Sequence, residues 1–189
     1  MKNLKNYIKN YINESVWDIE NNVESDNEEF IIDKIKKFIK DNYGRINMDR
    51  CKIIFDEKKN KYIINCDQPV FLNSGADQLA NDFFEWGTVK GWFNRTKSLI
   101  TSLKGAPKKV EGAFVCTCCP NLTSLKGAPA IVKGNFYCFE CPKLKSLQGT
   151  PEEVSGNFHC YECSQLKSLK GVPKTVGGSF NCAECPELE

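Results

Sequence analysis

Three stretches of this chain decide its fold: 110–129, VEGAFVCTCCPNLTSLKGAP; 132–151, VKGNFYCFECPKLKSLQGTP; and 154–173, VSGNFHCYECSQLKSLKGVP. Each begins 22 residues after the one before, and a fourth copy begins at Val176. A fixed period of this length marks a solenoid, in which one short unit repeats along an axis. The markers keep register: Phe114, Phe136, Phe158 and Phe180; Leu125, Leu147 and Leu169; Gly127, Gly149 and Gly171; Pro129, Pro151 and Pro173. Residues two apart in an extended segment share a face, so Phe136 and Cys138 point inward while Asn135, Tyr137 and Phe139 point outward. Cys141, Leu144 and Leu147 then return to the interior, and Gly149 with Pro151 bends the chain back. A single unit cannot bury its apolar face. Stacked units can, with Phe on Phe and Cys on Cys at about 4.8 Å in a parallel sheet.

A degenerate first copy starts at Val89, Gly91 and Phe93 and runs into Ser102, Leu103, Gly105 and Pro107; it carries Arg95 where later copies have cysteine. The unit resembles the leucine-rich repeat, L-x-x-L-x-L-x-x-N/C-x-L, which recurs every ~20–29 residues. Phe136 and Cys138 fall on its strand leucines, Cys119, Cys141, Cys163 and Cys185 on its Asn/Cys position, and Leu122, Leu144, Leu166 and Leu188 on the apolar position that follows. The run L-x-S-L-x-G-x-P-x-x-V-x-G-x-F-x-C-x-x-C is also similar to short cysteine-bearing repeats of bacteriophage proteins, and Leu4 to Val23 is similar to the openings of some of them. The resemblance implies a right-handed solenoid and a phage-encoded protein acting in the host-cell cytoplasm, with the virion as the alternative location.

Upstream of the array helical spacing takes over. Leu4, Tyr7, Ile8, Tyr11 and Ile12 share a face and predict a first helix. Ser25 with Glu28 forms a capping box, Ile31, Ile35, Phe38 and Ile39 form a stripe, and Asn42 to Gly44 gives a stop, which predicts a second helix over Asp26 to Asn42. Cys51 to Asp56 and Lys61 to Cys66 flank the turn-like Glu57 to Asn60 and predict a hairpin. Leu79, Phe83, Phe84 and Trp86 are expected to cap the open end of the array. The expected fold is therefore α+β: an N-terminal helical and hairpin region with the cap over 1–88, then a leucine-rich-repeat-like solenoid with one parallel sheet over 89–189. The chain given stops one residue past Leu188, so the last turn is expected to be open, and a homodimer formed through it is one way of covering it.

Composition bounds the function. With 41% hydrophobic residues the chain can bury a core, and a net charge of +2 with a pI near 7.9 gives no global drive toward nucleic acid or membrane. No run approaches the ~18 apolar residues of a spanning helix, and no apolar signal segment opens the chain, which reads as soluble and intracellular. Eleven cysteines is an odd number, and nine lie in the repeats, so reduced core positions are expected over a disulfide framework. The pairs Cys116/Cys119, Cys138/Cys141, Cys160/Cys163 and Cys182/Cys185 could each supply half a tetrahedral zinc site. In register they form a continuous ladder with interior roles, so no metal and no cofactor is expected, and a metal at these eight thiols is the alternative. Cys118 shares the column of Glu140, Glu162 and Glu184 and is expected to be exposed and oxidisable.

The outward columns are Val115, Tyr137, His159 and Asn181, and Thr117, Phe139, Tyr161 and Ala183. Their centre is aromatic, and Glu140 and Glu162 supply a polar rim, so this face is the expected protein-binding site. The phage resemblance implies a protein of the bacterial host as partner, blocked by this chain as a defence-system inhibitor would block it, with an accessory or structural virion role as the alternative. From Val89 onward thirteen Lys/Arg oppose eight Glu, and Lys104, Lys126 and Lys170 share a column that could contact phosphates, which gives nucleic acid as a second alternative. Residues 14–33 hold eight acids and no Lys or Arg; this reads as solvated helix surface, or as a segment for a basic partner. The only histidine, His159, has no acid or nucleophile defined by sequence, and no phosphate-binding glycine loop is present, so an enzyme is not expected.

Overall fold

The computed structural model of the chain describes residues 28–44, 46–72 and 84–189. The first predicted helix, the Ser25 cap, Leu79 and Phe83 lie outside them. Helix α1 (Glu28–Tyr43) closely follows the second predicted helix. It buries Ile35 and Ile39, half-buries Ile31 and Phe38, and is followed by Gly44 at a φ of 114°, where glycine avoids a Cβ clash. A 3-10 turn (Met48–Arg50) leads into the hairpin of β1 (Cys51–Asp56) and β2 (Lys61–Cys66), whose bounds are those predicted. After β3 (Val70–Phe71), β4 (Phe84–Val89) and β5 (Phe93–Asn94), every turn of the repeat contributes two short strands. These are β6 (Lys109–Val110) and β7 (Phe114–Val115), β8 (Ile131–Val132) and β9 (Phe136–Tyr137), β10 (Glu153–Val154) and β11 (Phe158–His159), and β12 (Thr175–Val176) and β13 (Phe180–Asn181).

The chain is thus an α+β protein built on a β-solenoid of parallel turns about 22 residues apart. It has two parallel-stacked sheets where the sequence predicts one. The first runs β1-β2-β4-β6-β8-β10-β12 and the second β13-β11-β9-β7-β5-β3. The extra sheet comes from the V-x-G segment. Val110, Val132 and Val154 are buried in register, while Ile131, Glu153 and Thr175 beside them are exposed. Alternation over two residues suffices because the turn on either side fixes which face is inside. Glycine then lets successive turns meet: a Cβ at Gly134 would lie 2.5 Å from the carbonyl carbon of Gly112. The third side of each turn carries L-x-S-L, with a parallel bridge between Ser146 and Ser168. There the Ser124 and Ser168 hydroxyls accept from the backbone N–H of Lys126 and Lys170 at 3.1 Å.

Phe136, Cys138, Cys141, Leu144 and Leu147 all point inward as predicted, each fully buried. Phe93, Phe114, Phe136, Phe158 and Phe180 stack along the axis with ring centroids 5.7, 5.2, 5.2 and 5.6 Å apart. The cap is made by the hairpin and α1. Strand β2 pairs parallel with β4, so the hairpin continues the first sheet, and Phe84 and Trp86 lie in β4. From the helix, Tyr43 meets them edge-on at 5.8 and 6.4 Å. Cys51 and Cys66, opposite each other in the hairpin, are joined by a disulfide, and the nine cysteines of the repeats are free thiols. Among the described residues no helix is long and apolar enough to cross a membrane.

Candidate binding face and thiol ladder

The two cysteines of each turn have distinct tasks. The second donates its S–H to the backbone carbonyl of the first cysteine one turn back: Cys141 to Cys116 at 3.3 Å, Cys163 to Cys138 at 3.4 Å, and Cys185 to Cys160 at 3.4 Å. Cys119 makes the same bond to Arg95, which stands fully buried in the column of the first cysteine. These bonds satisfy carbonyls at the corner where the chain leaves the second sheet. Burial pushes the Cys116 and Cys138 thiols well above the ordinary thiol range and Cys163 up to about 12. Among the described residues no group of three or more His, Cys, Asp or Glu is placed to hold a metal ion.

The second sheet brings the predicted binding residues together. Tyr137 pairs in register with His159, and His159 with Asn181. In the next column Phe139 and Tyr161 stack at 4.4 Å with planes 9° apart. Tyr137 lies 6.0 Å from Phe139 and 5.2 Å from His159, and His159 lies 6.2 Å from Tyr161, closing a two-by-two aromatic grid. All four rings are half-buried. They pack on one another and still present a surface. Asn181 is half-buried at the end of its column and its side-chain oxygen accepts the Ala183 N–H at 3.0 Å. Val115 and Thr117, expected to be outward and open, are 8% and 3% exposed. Val115 lies in register between Asn94 and the larger Tyr137, and the Thr117 hydroxyl lies 3.2 Å from that of Thr96.

Beside the grid runs the acidic column. Cys118, Glu140, Glu162 and Glu184 all occupy the left-handed region, with φ of 54, 54, 54 and 56°. Holding a residue with a Cβ there costs on the order of 1 kcal/mol, and no glycine or asparagine marks the corner in the sequence. Glu140 and Glu162 are exposed, and Glu140 accepts the Cys118 S–H at 3.3 Å. Burial first, and then the Glu140 and Glu162 charges, raise the Tyr161 phenol above its ordinary value.

Cys118 is less exposed than its column implied. It is half-buried, and burial and the hydrogen bond to Glu140 both raise its thiol. Its thiolate fraction at pH 7 is therefore below that of an ordinary cysteine and grows as pH rises. Alkylation of Cys118, followed by mass spectrometry across a pH series, is expected to accelerate at higher pH than for a free thiol. Glu140→Gln removes the raising charge and moves the profile to lower pH. An unmoved profile in that variant means the contact is not formed.

Two contacts on this face are not legible in the sequence. Ser179 Oγ lies 3.0 Å from His159 Nε2, because the outward positions before and after the phenylalanine meet across neighbouring turns. Phe71, 50% exposed, pairs in register with Asn94 and so extends the column of Tyr137 toward the cap. Lys104, Lys126 and Lys170 are exposed on the third side, with Gln148 interrupting their column. Compared with known proteins, the chain matches no family model, and no curated protein or solved structure matches it.

Proposed function

We propose that this is a non-enzymatic scaffold that binds a protein through the outward face of the second sheet. Tyr137, Phe139, His159 and Tyr161 form the centre of that face, and Glu140, Glu162 and Asn181 its rim. The observation that carries the reading is the aromatic grid: four neighbouring rings held half-exposed on one sheet face. Aromatic side chains lose little conformational freedom on docking and dominate the energetics of protein interfaces. The Ser179–His159 contact is read as packing within this surface.

The leucine-rich-repeat resemblance is supported by the second-cysteine ladder, which fills the Asn/Cys position with an inward hydrogen-bond donor. The similarity to phage repeats favours a phage-encoded protein that blocks a host factor, such as a component of a defence system, in the bacterial cytoplasm. An accessory virion protein is the alternative. Contact with nucleic acid is favoured by one observation, the exposure of Lys104, Lys126 and Lys170 in a single column.

Affinity capture from bacterial lysate, followed by reconstitution of the complex from purified components, tests the reading. The tagged chain is expected to form a stoichiometric complex that Tyr137→Ser/Phe139→Ser/Tyr161→Ser abolishes and Lys104→Gln/Lys126→Gln/Lys170→Gln leaves intact. Unchanged capture by the first variant contradicts the reading, and nuclease-sensitive capture lost in the second moves the function to nucleic acid.

A further inference from the structure

The charges around the aromatic grid point to the chemistry of what it binds. Four glutamates elsewhere on the molecule have lysine partners: Glu85 with Lys59 and Lys108, Glu111 with Lys109, Glu152 with Lys174, and Glu187 with Lys167. Glu140, Glu162 and Glu184 stand in one column beside the grid with no Lys or Arg of the described residues within ion-pair distance. All three sit at the same left-handed corner with near-identical φ, one per turn. The turns are tied in register by the Glu140 N–H bond to the Tyr161 carbonyl and the Glu162 N–H bond to the Ala183 carbonyl, each 3.0 Å. Like charges stacked at strand spacing repel, and a cation laid along the column relieves that repulsion.

Resting on the reading of this face as the binding surface, we propose that its occupant is a cationic polypeptide segment of the partner, with arginine stacked on the Phe139–Tyr161 pair and bonded to the Glu140 and Glu162 carboxylates. Guanidinium suits the site better than ammonium. It is planar, it stacks on an aromatic face, and its fork of N–H donors reaches carboxylates alongside. Glu184, next to Ala183 and not to a ring, extends the electrostatic track without a stacking partner.

The test is fluorescence anisotropy of the full chain with a labelled oligoarginine peptide, and with oligolysine and oligoglutamate of equal length. The wild type is expected to bind oligoarginine, to bind oligolysine more weakly, and not to bind oligoglutamate. Glu140→Gln/Glu162→Gln/Glu184→Gln is expected to weaken oligoarginine at least about tenfold. Glu152→Gln/Glu153→Gln, on the first sheet, is expected to leave it unchanged. Thermal melting of each variant establishes that it is folded. Oligoarginine that fails to bind, or that binds the three-glutamine variant as well as the wild type, overturns the proposal, as does an equal loss in the first-sheet variant. If the captured protein is lost from the Tyr137/Phe139/Tyr161 variant but retained by the three-glutamine variant, the cationic occupant is overturned while the binding face stands. Retention by both overturns both.

Discussion

Gly149→Ala is expected to destabilise the protein by about 3 to 5 kcal/mol, read as a lowered urea midpoint, although it adds only one methyl group at an exposed position. Gly149 sits at a φ of 99°, and the same sign recurs at Gly105, Gly127 and Gly171, so this is the corner at which every turn reverses. A Cβ there would lie 2.6 Å from Lys126 Cα and 2.7 Å from Lys126 N, backbone atoms that cannot rotate away. Backbone strain and a clash with the preceding turn therefore add, and relief requires two turns to separate. Gln148→Ala, one residue earlier and exposed, is the matched control, expected to change stability by less than about 0.5 kcal/mol. Equal effects of the two substitutions would contradict the corner geometry.

Phe136→Ala is expected to cost about 3 to 5 kcal/mol, and Phe180→Ala about 1 kcal/mol. The two residues hold the same position in the repeat, but Phe136 is fully buried between rings 5.2 Å away on both sides. Phe180 is 36% exposed and, among the described residues, stacks on one ring, Phe158, at 5.6 Å. Removing Phe136 opens a void that neighbouring turns can fill only by shortening the axis, which the hydrogen bonds of both sheets resist. Denaturant unfolding of the two variants separates these costs; equal losses would mean that the aromatic column is not a continuous core.

The repeat was readable because 22-residue spacing and inward alternation both arise from the geometry of a stacked turn. The same logic recovered the hairpin, since β-rich runs of equal length and a polar turn leave one arrangement. The disulfide between Cys51 and Cys66, which face each other at the ends of that hairpin, departs from the expectation of reduced cysteines. The first sheet escaped because Val154 and its counterparts sit in strands of two residues, too short to show a period of their own. The glutamate corner escaped because it occupies a backbone region usually marked by glycine or asparagine. On the face itself, Tyr137, Phe139, His159 and Tyr161 were placed by alternation alone. The burial of Val115 and Thr117 depends on which larger residues flank them across turns, and alternation within one turn does not contain that information.

Hydroxyl-radical footprinting of the chain, free and in complex with the protein it captures, tests the binding face most directly. The account predicts that Tyr137, Phe139, His159 and Tyr161 are labelled in the free chain and protected in the complex, while exposed Ile131 on the first sheet is labelled equally in both. Unchanged labelling of the four rings, with protection confined to the first sheet or to the lysine-bearing third side, would contradict it.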